Sequence, residues 1–265
     1  MPAERTDTVA PGRIAGAAAR PVLPLWERLA RADDDPGAVV DADDLASLPL
    51  AARRWLAHAI APGARAARRV VLTMHGKIRI GRWMPFRAFQ VLAPPEGFVW
   101  VARAGGRLLR VDGYDRYADG DGEMRWSLMG RVPVVRARGR DVTRSAAGRL
   151  AGESVLVPTA CVARPWRAEG DDAAVMTWDV GGDVVDVRIC VDAGGRLVSA
   201  DFDRWGNPGR SPFGYQRFGV YVDDESTFDG MTIASSFRAG WWWGTDRYDA
   251  GGEFFHANVT AAEFA

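Results

Sequence analysis

Three histidines, His58, His75 and His256, stand alone in a chain of 265 residues, and two cysteines, Cys161 and Cys190, stand far apart. His75 lies on the polar side of an alternating stretch with Lys77 and Arg79. Those two cations disfavour its protonated form and suit it to be a base. Paired with Glu153 or Glu225 it would make an acid/base couple for a hydrolase or isomerase, which is the enzymatic reading of this chain. The other reading of His75 is a polar residue satisfied at the surface. The chain has no GxSxG elbow, HExxH, Walker loop or GxGxxG. Asp119, Asp121 and Glu123 alternate like calcium ligands, but Met124 and Gly130 stand where an EF-hand needs glycine and glutamate, so the stretch reads as a hairpin turn. The cysteines lack metal-site spacing and read as small buried hydrophobes. No metal or cofactor is implied.

The eleven tryptophans are the more unusual inventory, and they include the run Trp241-Trp242-Trp243. In a strand Trp241 and Trp243 would share one face and Trp242 the other. Trp83, Phe86, Trp100, Trp126, Trp205 and Trp241 are the candidates to line a hydrophobic site, with Arg79, Arg82 and Arg87 at its rim to receive an anionic headgroup or carboxylate. The alternative is that these rings fill a core. Residues 205–221 mix turn formers with aromatics and lack alternation, so they are expected to form a flap, or a fixed plug, over one end of the fold.

Periodicity supplies the elements that would hold these residues. Leu25 to Leu29 suits a short helix stopped by Asp33-Asp34-Asp35-Pro36-Gly37. Trp55, Leu56, Ala59 and Ile60 share one face of a helix from Pro49 to Ile60, capped by Ser47, with Arg53 and Arg54 on the solvated side. A third helix runs from Asp141, as its cap, to Gly152. From Arg69 onward the period is about two: a first run to Ile80 is followed by runs at 86–93, 97–103, 107–117, 123–129, 132–138, 174–180, 184–191, 196–204, 231–238 and 253–260. Turns at Gly105-Gly106, Asp119-Gly120-Asp121-Gly122, Gly181-Gly182 and Gly194-Gly195 join them as antiparallel hairpins. The expected fold is mainly β: a curled antiparallel sheet of about ten strands closing into a β-barrel or half-barrel, with two or three helices. Residues 1–20 read as a loose tail and 21–265 as one domain.

Met74-His75-Gly76, Trp83 to Gln90, Gly97-Phe98-Val99-Trp100, Gly148 to Glu153 with Pro158, Asp203 to Gly209, Phe228-Asp229-Gly230 and Ala239-Gly240-Trp241 together resemble a bacterial family known only as a domain of unknown function, over about residues 45–262. Ala234 stands where that pattern has proline, with no bearing on function. The resemblance brings no established activity, substrate or catalytic residues. In strand order and helix placement the chain is more distantly similar to lipoprotein-carrier half-barrels that hold acyl chains in a concave sheet.

Thirty-four basic residues balance thirty-four acidic ones, which leaves no global field to gather nucleic acid. Residues 45–110 carry twelve cations against Glu96 alone, whereas 169–203 carry nine acids against Arg188 and Arg196, a polarity expected to compensate across the fold. The apolar stretch Ile14 to Ala19 is too tightly bracketed by Arg13 and Arg20 for a signal or a membrane span, so the cytoplasm is the expected compartment. A large curled sheet with few helices leaves a greasy hollow. The sequence therefore predicts a non-enzymatic carrier or binding module for a hydrophobic or amphipathic small molecule such as a lipid, without stable membrane insertion. A structural or interaction protein with a filled core is the third reading.

Overall fold

A computed structural model describes residues 16–31, 38–107 and 109–265. The part of the expected tail before Gly16, and the helix stop across 33–37, lie outside the described residues. Thirteen strands form one antiparallel sheet: β1 (Val70–Ile80), β2 (Arg82–Ala93), β3 (Gly97–Gly105), β4 (Arg110–Ala118), β5 (Asp121–Leu128), β6 (Val132–Arg138), β7 (Trp166–Ala168), β8 (Ala173–Val180), β9 (Asp183–Val191), β10 (Leu197–Gly206), β11 (Gly214–Phe228), β12 (Met231–Trp241) and β13 (Glu253–Phe264). Their order, β6-β5-β4-β3-β2-β1-β13-β12-β11-β10-β9-β8-β7, is two meanders zipped together where the first strand meets the last. The edges β6 and β7 do not pair with each other, so the sheet is a half-barrel and not a closed barrel.

The three helices expected from 3.6-residue spacing are present as α1 (Leu23–Ala30), α3 (Leu50–Ala59) and α4 (Arg140–Glu153), joined by two short ones, α2 (Ala42–Ala46) and α5 (Pro158–Cys161). Their starts differ from expectation. Pro49 and not Ser47 occupies the N-cap of α3, and Gly139, at φ 105°, occupies that of α4, where glycine alone turns without strain. Asp141 falls in the first turn of α4, where its charge suits the helix dipole. Arg54 is ion-paired to Asp172 at 2.5 Å, one direct link between the basic and acidic segments.

Strand parity sorts the side chains into two layers. Leu72 and Met74 of β1, with Phe86, Ala88 and Trp100 opposite, face the layer that holds Trp55, Leu56, Leu150 and Cys161 from α3, α4 and α5. Phe89, Val91, Val99, Val101 and Tyr114 face the other way, onto Trp26 and Leu29 of α1 and the preceding 3-10 turn, Gly16–Val22, where Ala19 is buried. Helix α4 touches β4 and β5 on one wing and β8, β9 and β10 on the other, so the sheet wraps around it and its face is the concave one. At one end α3 and α5 fill the curl. The expected hollow is absent there, because Trp55, Leu56, Leu150, Val155 and Leu156 occupy it. The turn at Asp119-Gly120, with φ 53° and 70°, joins β4 to β5 as a tight hairpin, as the sequence predicts.

Two expectations are overturned. Residues 205–221 are not a flap: the ladder from Ser199↔Tyr221 to Gly206↔Gly214 makes them the closing end of a β10–β11 hairpin. Their alternation is hidden because ten of the fifteen residues of β11 are half-buried and Gly219 alone is buried, so neither parity is dry. The tryptophan run is not a strand either. β12 ends at Trp241 and Trp242 turns left-handed at φ 56°. As a result Trp241 packs on Phe218 of the concave layer, and Trp243 packs on Tyr221 of the opposite one.

Candidate functional site

A chain of ring contacts crosses the concave face. Phe202 (β10) meets Phe218 (β11) at 5.6 Å between centroids, and Phe218 meets Trp241 at 5.1 Å and Phe254 at 6.2 Å. Phe254 leads to Phe255 at 6.3 Å, Phe255 to Phe86 at 4.9 Å, Phe86 to Trp100 at 5.9 Å and Trp100 to Trp126 at 5.5 Å. An irregular register between Ala239 and Gly240 lets both Phe254 and Phe255, neighbours in β13, join the chain. Glycines make the room. A Cβ on Gly113 would come within 2.7 Å of the Trp126 ring, and one on Gly206 within 2.3 Å of Trp241. Trp100 and Trp126 are buried, whereas Phe218, Phe237, Trp241, Phe254 and Phe255 are half-exposed. The aromatic surface thus meets solvent at the end away from α3.

Polar groups on α4 and its surroundings are set among these rings. Arg149 stacks over Phe98 and Trp100 at 4.7 and 5.2 Å, and donates to Asp115 at 3.1 Å and to Glu153, one turn on, at 2.7 Å. Glu153 also accepts from Gln90 at 2.5 Å, and Asp115 accepts from Trp126 Nε1 at 2.8 Å. Burial pushes the Asp115 carboxyl above its usual range, and the nearby Arg149 offsets only part of that. The Trp100 Nε1–H is buried without an acceptor among the described residues.

Arg204, on β10, lies over Phe218 and Trp241 at 4.8 and 5.1 Å, and its Nε donates to the Ser145 carbonyl of α4. No carboxylate lies within ion-pair distance of it among the described residues. Burial, with Arg149 adding repulsion, pushes its guanidinium down to about 10.

The structure divides the residues named from sequence. Phe86, Trp100, Trp126 and Trp241 share the concave face. Trp83 points to the convex face, against His256 at 4.6 Å with Arg79 at 5.9 Å. Trp205 sits at the start of α4, donating to Asp141 at 2.9 Å with Arg144 stacked on it. Arg87 lies opposite exposed His75 and Arg79 opposite Trp83, both on the convex face, so neither rims the aromatic chain, whereas Arg82, exposed beside the β1–β2 turn, shares the parity of Met84 and Phe86. His75 is brought to neither acid: Glu153 is held on the concave face by Gln90, and Glu225 accepts from the Leu197 N–H and bonds His58 at 2.9 Å. Sequence reasoning missed Arg149 and Arg204, single arginines that spacing does not mark.

Residues 38–250 match a family described as one of unknown function, DUF6544. The chain belongs to this family. The membership read from the Trp83 to Gln90 and Asp203 to Gly209 motifs is thereby borne out. No curated protein matches the chain. Among solved structures it is similar to a LolA superfamily protein from Nitrosomonas europaea, at 10% identity over 85% of this chain and 94% of that one, with a TM-score of 0.39. It is also similar to a DUF1329 family protein from Desulfovibrio piger, at 10% identity over 81% and 90%, with a TM-score of 0.38.

This DUF6544 chain carries further polar groups on its convex face. Glu253 bonds His256 at 2.7 Å, Arg238 at 3.2 Å and the Tyr248 hydroxyl at 3.3 Å. Two open clefts, of about 460 and 300 Å³, lie beside α1 and the β5–β6 edge, and no ring of the concave chain lines either of them. No helix among the described residues is long and apolar enough to cross a membrane.

Proposed function

We propose that this protein is a non-enzymatic carrier or binding protein for an elongated anionic amphiphile, laid with its apolar part along the half-exposed aromatic chain and its anionic end at Arg204. The observation that supports this reading is the setting of Arg204: a cation stacked on two aromatic rings, beside a continuous apolar surface, with no carboxylate within ion-pair distance among the described residues and only Asp115 and Glu153 acting on it from further off. A guanidinium fork matches a carboxylate or phosphate oxygen pair, and the flanking rings exclude water from that contact. About ten methylenes at about 0.8 kcal/mol each give roughly 8 kcal/mol of gross burial energy, so an acyl chain needs no polar code to bind. The unpartnered Trp100 N–H offers one donor deeper in the site.

The test is transfer of tryptophan fluorescence to an anthroyloxy-labelled palmitate, with the methyl ester of the same probe as comparison. Saturable transfer, competed by unlabelled palmitate and weaker for the ester, is the expected result. Absence of saturation with both probes, together with lipid-free solvent extracts of the purified protein by mass spectrometry, overturns the reading and leaves the concave face as a filled core.

A further inference from the structure

We infer that the convex face holds a separate anion site, built on Arg125 and Arg136, that takes a phosphate or phosphate monoester group. These two residues stand directly opposite each other on one rung of the β5–β6 ladder. Opposed like charges destabilise a sheet pair unless something between them is negative.

The other arginines of the two clefts are balanced: Arg28 by Asp119 at 2.6 Å, Arg116 by Asp121 at 2.5 Å and Glu123 at 3.1 Å, and Arg138 by Glu123 at 2.8 Å. Arg125 and Arg136 have no carboxylate within ion-pair distance among the described residues. The two clefts meet here, sharing Glu123, Arg125 and Arg138, and their linings hold five arginines against two carboxylates. In a chain whose total charge is zero, that excess is local and directed.

The geometry favours a tetrahedral dianion over a carboxylate. One guanidinium satisfies both oxygens of a carboxylate, whereas two forks rising side by side from one rung, about 5 Å apart at their roots, have enough donors for the three terminal oxygens of a phosphate. The Tyr114 hydroxyl lies beside Arg125 and Glu123 in the wall of the larger cleft, where burial first, and then Glu123, push it up. The larger cleft, about 460 Å³, exceeds what a phosphate fills, and its lip at Pro21, Val22 and Leu25 is apolar. The remainder of the ligand therefore has an apolar surface to lie on. Such a phosphate could come from a soluble monoester or from a lipid headgroup. This site stands independently of the concave one, on the other side of the sheet.

The test uses the full chain and titrates inorganic phosphate, phenyl phosphate and acetate by calorimetry, with sedimentation alongside phosphatidylcholine vesicles with and without phosphatidic acid. Saturable phenyl phosphate binding, tighter than phosphate and undisturbed by acetate, supports a soluble monoester; sedimentation only with phosphatidic acid supports the headgroup. In either case Arg136→Gln, an exposed position, is expected to weaken binding by about tenfold or more, as loss of a charge-assisted hydrogen bond does. The same variant should leave labelled palmitate transfer unchanged. Absence of phosphate, phenyl phosphate and vesicle binding overturns the proposal, as does an Arg136→Gln protein that binds as tightly as the parent.

Discussion

The ring of Trp241 occupies the space where a side chain on Gly206 would be: a Cβ there would sit 2.3 Å from Cη2 of the indole. Gly206 has no left-handed backbone to excuse its identity, so the constraint is the ring itself. Gly206→Ala is expected to push Trp241 off Phe218 and destabilise the chain by about 1–3 kcal/mol, the range for an overpacked site. A shifted denaturation midpoint with a changed near-ultraviolet circular dichroism band checks this. An alanine variant with parental stability and spectrum would mean that the ring has room to move.

Arg204 gives a prediction in which stability and function separate. Its guanidinium, pushed down to about 10 by burial and by Arg149, is a charge without a paired acid. Arg204→Met keeps the apolar stem between Phe218 and Trp241 and removes that charge. Stability is expected to stay level or rise by about 1 kcal/mol, as when unfavourably buried charge is replaced by packing side chains. Labelled palmitate should bind about tenfold more weakly to the variant, with the methyl ester unaffected. Equal loss for acid and ester would assign Arg204 to packing alone.

Strands with one dry and one wet face were legible in the sequence because Leu72, Met74, Thr73 and His75 separate cleanly by parity. β11 was not, since Gln216, Phe218, Tyr221 and Val222 are all half-exposed and no dry face exists to set a period. β7, three residues long, is too short to carry one. The sequence named the aromatics of the site by type, but faces follow from register: Trp83 and Phe86, three apart in one strand, must point to opposite sides. Parity alone separates them. The split of Trp241 from Trp243 was not available, because it depends on the positive φ of Trp242. His58 and Glu225 meet across 167 positions, beyond any spacing rule.

Glu253 links stability to pH. Burial pushes its carboxyl up, but the hydrogen bond and charge of His256, with Arg238, outweigh that and leave it below the usual carboxylate range. A carboxyl lowered in the folded state contributes stability above its unfolded value, about 4.3, and loses it as pH falls through the lowered value. Glu253→Gln should therefore melt below the parent at pH 7 and converge with it in acid. Parallel melting curves across that range would show that Glu253 contributes nothing through its charge.

Cys161 tests the filled end of the curl. Its thiol is fully buried beside Ser154 and Val157, and burial pushes it up to about 12. At pH 8 the thiolate fraction of such a group is roughly one in ten thousand, and only the thiolate attacks a disulfide reagent. Cys190 is half-buried, with Arg188 donating to its sulfur, so it is accessible to the same reagent. Native protein is expected to release one equivalent of thionitrobenzoate promptly and the second only in denaturant, with the slow phase tracking unfolding. Trp166 supplies an internal monitor, since its indole donates to the Cys161 carbonyl at 3.0 Å and its ring meets Trp55 at 6.2 Å. If the second thiol reacts before tryptophan emission changes, α5 opens locally, and the end of the half-barrel that it fills gives access to the concave face.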